Sequence, residues 1–236
     1  MIKKFNIFYL LILTIVMSLT SCNGDLDGDS GSLSACFDIA IYGGSTDDGT
    51  VFTLREDGDS NLVTLISSTK IELDGVKVGD RVLLYYYPPQ GLQYVSGNIS
   101  VVSCIQIING DIESKLAEDT SNWASDKVNM QKIWRTGQYL NIQCIGEIQS
   151  SPTAFTVAVD EETIDNVYPD VYVLFESDVN QSTTINAPTK TLYASYDIST
   201  VWNKSTCRGV NVHFNNYSGT ETAKFEKSTL TILPTD

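Results

Sequence analysis

The chain has 236 residues, 42% of them hydrophobic, and 29 acidic against 15 basic residues, for a formal net charge of -14. So acidic a surface repels phosphate backbones and anionic lipid headgroups, which excludes nucleic acid as a partner. The single histidine, His213, argues against histidine-based triads and multi-histidine metal sites, so neither an enzyme nor a cofactor is expected.

The chain begins Met1-Ile2-Lys3-Lys4, and residues 5–19 follow without a charge through Ile7, Phe8, Leu10, Leu11, Ile12, Ile15 and Val16. A bilayer-spanning helix needs roughly 20 apolar residues, and Ser18, Thr20 and Ser21 close the run too early. Residues 1–21 are therefore read as an export signal. Leu19-Thr20-Ser21-Cys22 resembles a lipobox, in which small residues fit the peptidase and the cysteine sulfur takes the lipid. Cys22 is accordingly the expected lipid attachment site and the first residue of the mature protein. Removing Lys3 and Lys4 with the signal leaves 13 basic residues against 29 acids.

Residues 22–34 have little to bury and are expected to form a disordered acidic tether. Asp25, Asp27 and Asp29 copy the first ligands of a calcium loop, but Ser30 stands in place of its glycine and Cys36 in place of its glutamate. Calcium is not expected. Acidic residues behind the lipidated cysteine also resemble surface-export signals of Bacteroidetes lipoproteins. The expected location is the outer membrane, exposed outward or facing the periplasm.

Residues 35–110 read as short strands. Phe37, Ile39 and Ile41 alternate before Gly43-Gly44-Ser45-Thr46-Asp47-Asp48-Gly49, which is expected to break the run. Residues 51–55 and 62–66 flank a hairpin loop, and residues 81–87 and 99–108 are further strands, the former stopped by Pro88-Pro89. About five strands in some 75 residues suit a small OB-like barrel. Residues 111–126 are the least strand-like stretch and are taken as a connector.

Residues 127–236 resume with seven strands, near 127–134, 138–149, 154–159, 171–176, 190–198, 209–215 and 223–233. Leu140, Ile142 and Cys144 point one way and the polar residues between them the other, as do Leu192, Ala194 and Tyr196, and Val210, Val212 and Phe214. This alternation predicts an antiparallel β-sandwich with one buried and one wet face on each sheet. The fold class is thus all-β, a small OB-like barrel followed by a sandwich.

Beyond Cys22, the cysteines are Cys36, Cys104, Cys144 and Cys207. Their even number in an exported protein allows disulfides, and pairing Cys36 with Cys104 and Cys144 with Cys207 would keep each bridge within one domain. Buried thiols are the alternative. His213 alternates with Val212 and Phe214 and belongs on a polar strand face. Asp160, Glu161, Glu162 and Asp165 are the residue type of a glycosidase pair, but they lie in an expected loop. Tyr85 and Tyr87 share one face of a strand, and Tyr94 follows the Pro-Pro turn; together they are the candidate ligand platform. Trp123, Trp134 and Trp202 are read as core.

Four features are similar to those of the NigD-like lipoproteins of Bacteroidetes: the lipobox and acidic stretch from Cys22 to Asp29, Gly79-Asp80-Arg81-Val82, Trp134 ahead of Tyr139-Leu140-Asn141-Ile142, and the closing strand from Gly209 to Asn216. The resemblance implies an N-terminal OB-like domain, a C-terminal sandwich and a lipid anchor, and it brings no catalytic residues. The expected role is a non-catalytic binding or interaction module, held to the membrane by its anchor, with an envelope protein or a glycan as partner. A part in bacteriocin production or immunity is the alternative that the family name carries.

Overall fold

The structure, a computed structural model, describes residues 34–116, 126–147, 154–176 and 189–227. The expected signal, Cys22, the expected tether up to residue 33 and Trp123 lie outside the described residues. The described residues fall within one compact unit, so barrel and sandwich share it.

Five strands build the barrel: β1 (Cys36–Thr46), β2 (Gly49–Leu54), β3 (Val63–Ser67), β4 (Arg81–Tyr87) and β5 (Gly97–Gln106). They close in the order β1-β2-β3-β5-β4, and β4 pairs back onto β1. The connection from β3 to β5 is parallel and the other pairings are antiparallel, an OB-type arrangement. Alternation places Ala40, Tyr42, Phe52, Leu54, Leu65, Val82, Leu84 and Tyr86 in the barrel core. The expected break at Gly43-Gly44 does not occur. β1 instead continues to Thr46 through a register shift between Tyr42 and Ser45, the local bend that a bulge supplies to a closing barrel. Gly43 fits there because a Cβ would stand 2.9 Å from the carbonyl oxygen of Val51.

The sandwich has one sheet in the order β14-β13-β11-β10-β7 and another in the order β6-β12-β9-β8. Its strands are β6 (Ile108–Asp111), β7 (Glu113–Lys115), β8 (Asn129–Thr136), β9 (Tyr139–Glu147), β10 (Ala154–Asp160), β11 (Asp170–Glu176), β12 (Thr189–Asp197), β13 (Gly209–Asn216) and β14 (Gly219–Glu226). The single four-residue helix among the described residues is α1 (Ser199–Trp202). Leu140, Ile142, Cys144, Val157, Val171, Ala194, Val210 and Val212 meet between the sheets, as the alternation predicts. Most pairings are antiparallel, and three are parallel: β6 with β12, β7 with β10, and β11 with β13.

Two expectations change. Residues 108–115 are not a barrel end and connector, because β6 and β7 are edge strands, one in each sandwich sheet. They escape notice in the sequence because each is only three or four residues long, too short for a visible alternation. The four-stranded sheet also lacks a wet outer face where β9 and β12 meet the barrel. Asn141 and Ser195, on the polar side of the alternation, are buried there.

Candidate functional site

The barrel and sandwich meet through a polar network beside an apolar contact. Ile39, Leu83 and Ile107 of the barrel side pack with Trp134 and Tyr193. Next to them Arg81, at the first position of β4, sends its guanidinium into the outer face of the four-stranded sheet. Its Nε donates to Ser195 Oγ at 3.3 Å, and its Nη2 donates to Thr136 Oγ1 at 3.0 Å and Asn141 Oδ1 at 3.3 Å. Asn141 Nδ2 in turn donates to Thr136 Oγ1 at 2.9 Å, and Ser195 Oγ donates to Asn141 Oδ1 at 2.9 Å. Asn109 caps the start of β4, accepting from Arg81 N at 2.8 Å and donating to Arg81 O at 3.0 Å. Such buried polar groups are tolerated because they satisfy one another.

A second arginine crosses the boundary the other way. Arg135 of β8 pairs with Asp59 of the β2–β3 loop and lays its guanidinium carbon 4.0 Å from the centre of the Trp202 ring. The same loop donates from Gly58 N to Arg135 O at 2.8 Å. Between these contacts lies a cleft of about 430 Å³, bordered by Ile41 and Leu54 of the barrel and by Tyr139 and Trp202 of the sandwich.

The tyrosine platform is only partly assembled. Tyr85 and Tyr87 do share the outer face of β4, and Tyr86 points into the barrel. Tyr85 stands opposite Phe37 of β1, and the two rings stack at 4.0 Å with planes 13° apart. Phe37 is 58% and nearby Ile105 50% exposed, so the patch is aromatic and aliphatic. Tyr94 belongs elsewhere. Its hydroxyl donates to Asp38 Oδ1 at 3.1 Å, while Tyr86 and Gln93 donate to Asp38 Oδ2 at 2.9 and 3.2 Å. Burial raises the Asp38 carboxyl above its ordinary value, against the lowering effect of these three donors. The same burial, with the carboxylate beside them, pushes the hydroxyls of Tyr86 and Tyr94 well up. The group ties the segment after the Pro-Pro turn to β1, a structural task.

Cys104, Cys144 and Cys207 carry free thiols, so the bridges Cys36–Cys104 and Cys144–Cys207 are not formed. Cys144 lies in the sandwich core, and Cys207 Sγ donates to Gly209 O at 3.3 Å. Buried Cys36 belongs to the barrel core. Burial pushes the Cys104 thiol up to about 11 and that of Cys144 up to about 12.

His213 sits on the outward face of β13, as its alternation predicts. Its Nε2 lies 2.9 Å from Asp170 Oδ1 and its Nδ1 2.9 Å from Thr222 Oγ1, with the ring stacked on Tyr172 at 4.9 Å. The spatial neighbour Thr222, invisible from local sequence, gives the imidazole a hydroxyl partner. The row runs across three adjacent strands, and His213 and Thr222 are directly opposed in register. This is the geometry of cross-strand side-chain pairing. Of the acidic group, Asp160 accepts from Glu162 N at 3.0 Å within a turn, and Asp165 pairs with Lys204 at 2.7 Å. Among the described residues no cluster of His, Cys, Asp or Glu has the makings of a metal site, and no helix is long and apolar enough to cross a membrane.

The arginine network is what sequence reasoning missed. Arg81 was legible only as part of Gly79-Asp80-Arg81-Val82, and its one further signal is a charge at the head of an otherwise apolar strand.

A closed five-stranded barrel of OB type joined to a mixed β-sandwich defines a two-part all-β protein. Residues 111–227 match the family described as the NigD-like C-terminal beta sandwich domain, so this sandwich is a NigD-like domain. The description of that family indicates no catalytic activity. Several crystal structures share the fold. A Bacteroides vulgatus protein of unknown function is 16% identical with a TM-score of 0.65, covering 85% of this chain and 95% of its own. A provisionally assigned Bacteroides fragilis lipoprotein is 10% identical with a TM-score of 0.57, covering 85% and 100%. A NigD-like immunity protein from Bacteroides caccae is 12% identical with a TM-score of 0.55, again covering 85% and 100%. No curated relative matches the chain in sequence.

Proposed function

We propose that the protein is a lipid-anchored envelope protein, attached through Cys22 at the outer membrane, that works as a non-catalytic binding module for another envelope component. The observation that carries the binding role is the exposed Phe37–Tyr85 stack, flanked by Tyr87 and Ile105 on the outer face of the barrel. Large aromatic side chains left in water on a rigid sheet are the kind of group that anchors protein interfaces. Because each ring covers one face of the other, the pair forms a ridge better suited to a protein pocket than to the flat stacking of a sugar ring. The anchor is supported by the order of basic start, apolar run, small residues and cysteine.

Crosslinking and pull-down from native membranes tests this. A specific partner should be captured by the wild type and lost with Phe37→Ala/Tyr85→Ala, whose folding is preserved because both groups lie outside the core. Hydrolytic turnover by the purified protein, or unchanged capture by the double variant, would remove the reading. Loss of glycan binding in a Tyr85→Ala/Tyr87→Ala variant would instead favour a glycan as partner. Cys22→Ser should release the protein from the membrane fraction.

A second reading, an immunity role, is favoured by the name of the Bacteroides caccae neighbour. Deletion of the gene should then sensitise cells to a bacteriocin. Unchanged sensitivity and toxin release would exclude it.

A further inference from the structure

The cleft between barrel and sandwich holds positive charge that the chain does not neutralise. The protein has four arginines in all, and three of them, Arg55, Arg81 and Arg135, converge there against the acidic character of the whole. Asp59 is the single acid among the described residues lining the cleft, and Arg135 holds both of its oxygens, at 2.8 and 3.0 Å. No carboxylate among the described residues pairs with Arg81 or Arg55.

Arg81 is the sharper anomaly, because it is only 3% exposed. Burial lowers its pKa to about 10, which still leaves it cationic at neutral pH. Its acceptors are two hydroxyls and an amide, all neutral. Its Nη1 has no acceptor among the described residues, although no enclosed side-chain nitrogen or oxygen there goes unsatisfied. Arg81 lines the cleft beside Tyr139, whose ring centre lies 4.6 Å from the guanidinium carbon. Taking a cation out of water without a counter-ion is costly, and the usual remedy, an internal acid, has been assigned to Arg135 instead.

The geometry points to a binding site for a small organic carboxylate with an apolar body, its carboxylate held by Arg81 and Arg55 and its body lying along Ile41, Leu54 and Leu62. The Nη1 of Arg81 remains as a charged donor for a carboxylate oxygen, and the side chain is already fixed by Ser195, Thr136 and Asn141, so little ordering remains when the anion arrives. The volume, about 430 Å³, falls in the range of small-molecule sites, and the lining sets apolar Ile41, Leu54 and Leu62 against polar Thr136, Gln138 and Asn203. This site is separate from the Phe37–Tyr85 face and does not depend on the role proposed for it.

The test is calorimetric titration of the full chain with hexanoate, hexanamide and hexyl phosphate, with amide chemical shifts at Thr136 and Tyr139 locating the site. Hexanoate should saturate and move those signals, and hexanamide should bind at least about tenfold more weakly because it lacks the charge. Arg81→Gln should abolish binding. Arg55→Gln removes a cation at the cleft rim without opening the buried network, and it should weaken hexanoate about tenfold, which decides the matter even if Arg81→Gln does not fold. Equal binding of hexanoate and hexanamide, absence of saturation, or unchanged affinity in Arg55→Gln would overturn the site. Preference for hexyl phosphate would overturn its assignment to carboxylates.

Discussion

Arg135 grips Asp59 with both nitrogens of its fork, Nη1 to Oδ1 at 2.8 Å and Nη2 to Oδ2 at 3.0 Å, and so ties the β8–β9 hairpin of the sandwich to a loop of the barrel. The arginine is buried and the acid is 40% exposed, so the pair is worth less than a fully enclosed one. Arg135→Met also loses the Trp202 face and the hydrogen bond to Gly137 O. Arg135→Met should cost about 3 kcal/mol and Asp59→Ala about 2 kcal/mol. Urea unfolding followed by hydrogen exchange checks this, with protection falling in barrel and sandwich together.

Gly110 tests whether β6 belongs to the sandwich. A Cβ at this position would stand 2.4 Å from Tyr196 Cε1 and 2.9 Å from Cδ1, and that ring is held by its hydroxyl bond to Phe155 O. Its backbone needs no left-handed conformation, so the penalty is steric. Gly110→Ala should destabilise by about 1–3 kcal/mol in a denaturant titration. A neutral result would mean that residues 108–111 are not packed there.

Asp38 gives the barrel a pH dependence of definite sign. Its carboxyl is raised above 3.8 chiefly by burial, so the folded state holds the proton more tightly than the unfolded chain does. Its contribution is complete at low pH and is lost as pH rises through 3.8 and the raised folded value. Asp38→Asn keeps the shape and removes the titration. The unfolding free energy of the variant relative to wild type should therefore climb as pH is raised from below 3.8 to neutral, at no more than about 1.4 kcal/mol per pH unit.

The thiols of Cys104 and Cys144, raised to about 11 and about 12 by burial, are weak nucleophiles in the folded protein. Iodoacetamide at mildly alkaline pH should leave both unlabelled until denaturant is added, after which mass spectrometry should find both alkylated without prior reduction. A requirement for reductant would contradict the free thiols.

The main elements were legible because strand formation leaves a local trace. Leu140-Asn141-Ile142-Gln143-Cys144 and Val210-Asn211-Val212-His213-Phe214 alternate cleanly, and their apolar members do meet in one core. Tyr85 and Tyr87 likewise share a face because strand periodicity requires it. Tyr94 was misassigned to that platform because its position depends on a turn that carries it back to Asp38, over 56 residues of chain. The cleft was hidden for a related reason. Asn141, Ser195 and Thr136 look like solvent-facing polar residues, and only a partner 55 to 114 positions away, Arg81, makes them a buried network.

By itself, then, the sequence determined the all-β class, the order of barrel and sandwich and the inward residues of the long strands, since each rests on neighbouring residues. Tertiary structure alone decided that β6 and β7 complete the sandwich sheets and that Phe37 stacks on Tyr85. It also decided that Arg55, Arg81 and Arg135 gather at one boundary. Those outcomes depend on which faces meet, and burial on meeting is a property of the two surfaces together, which no local pattern records.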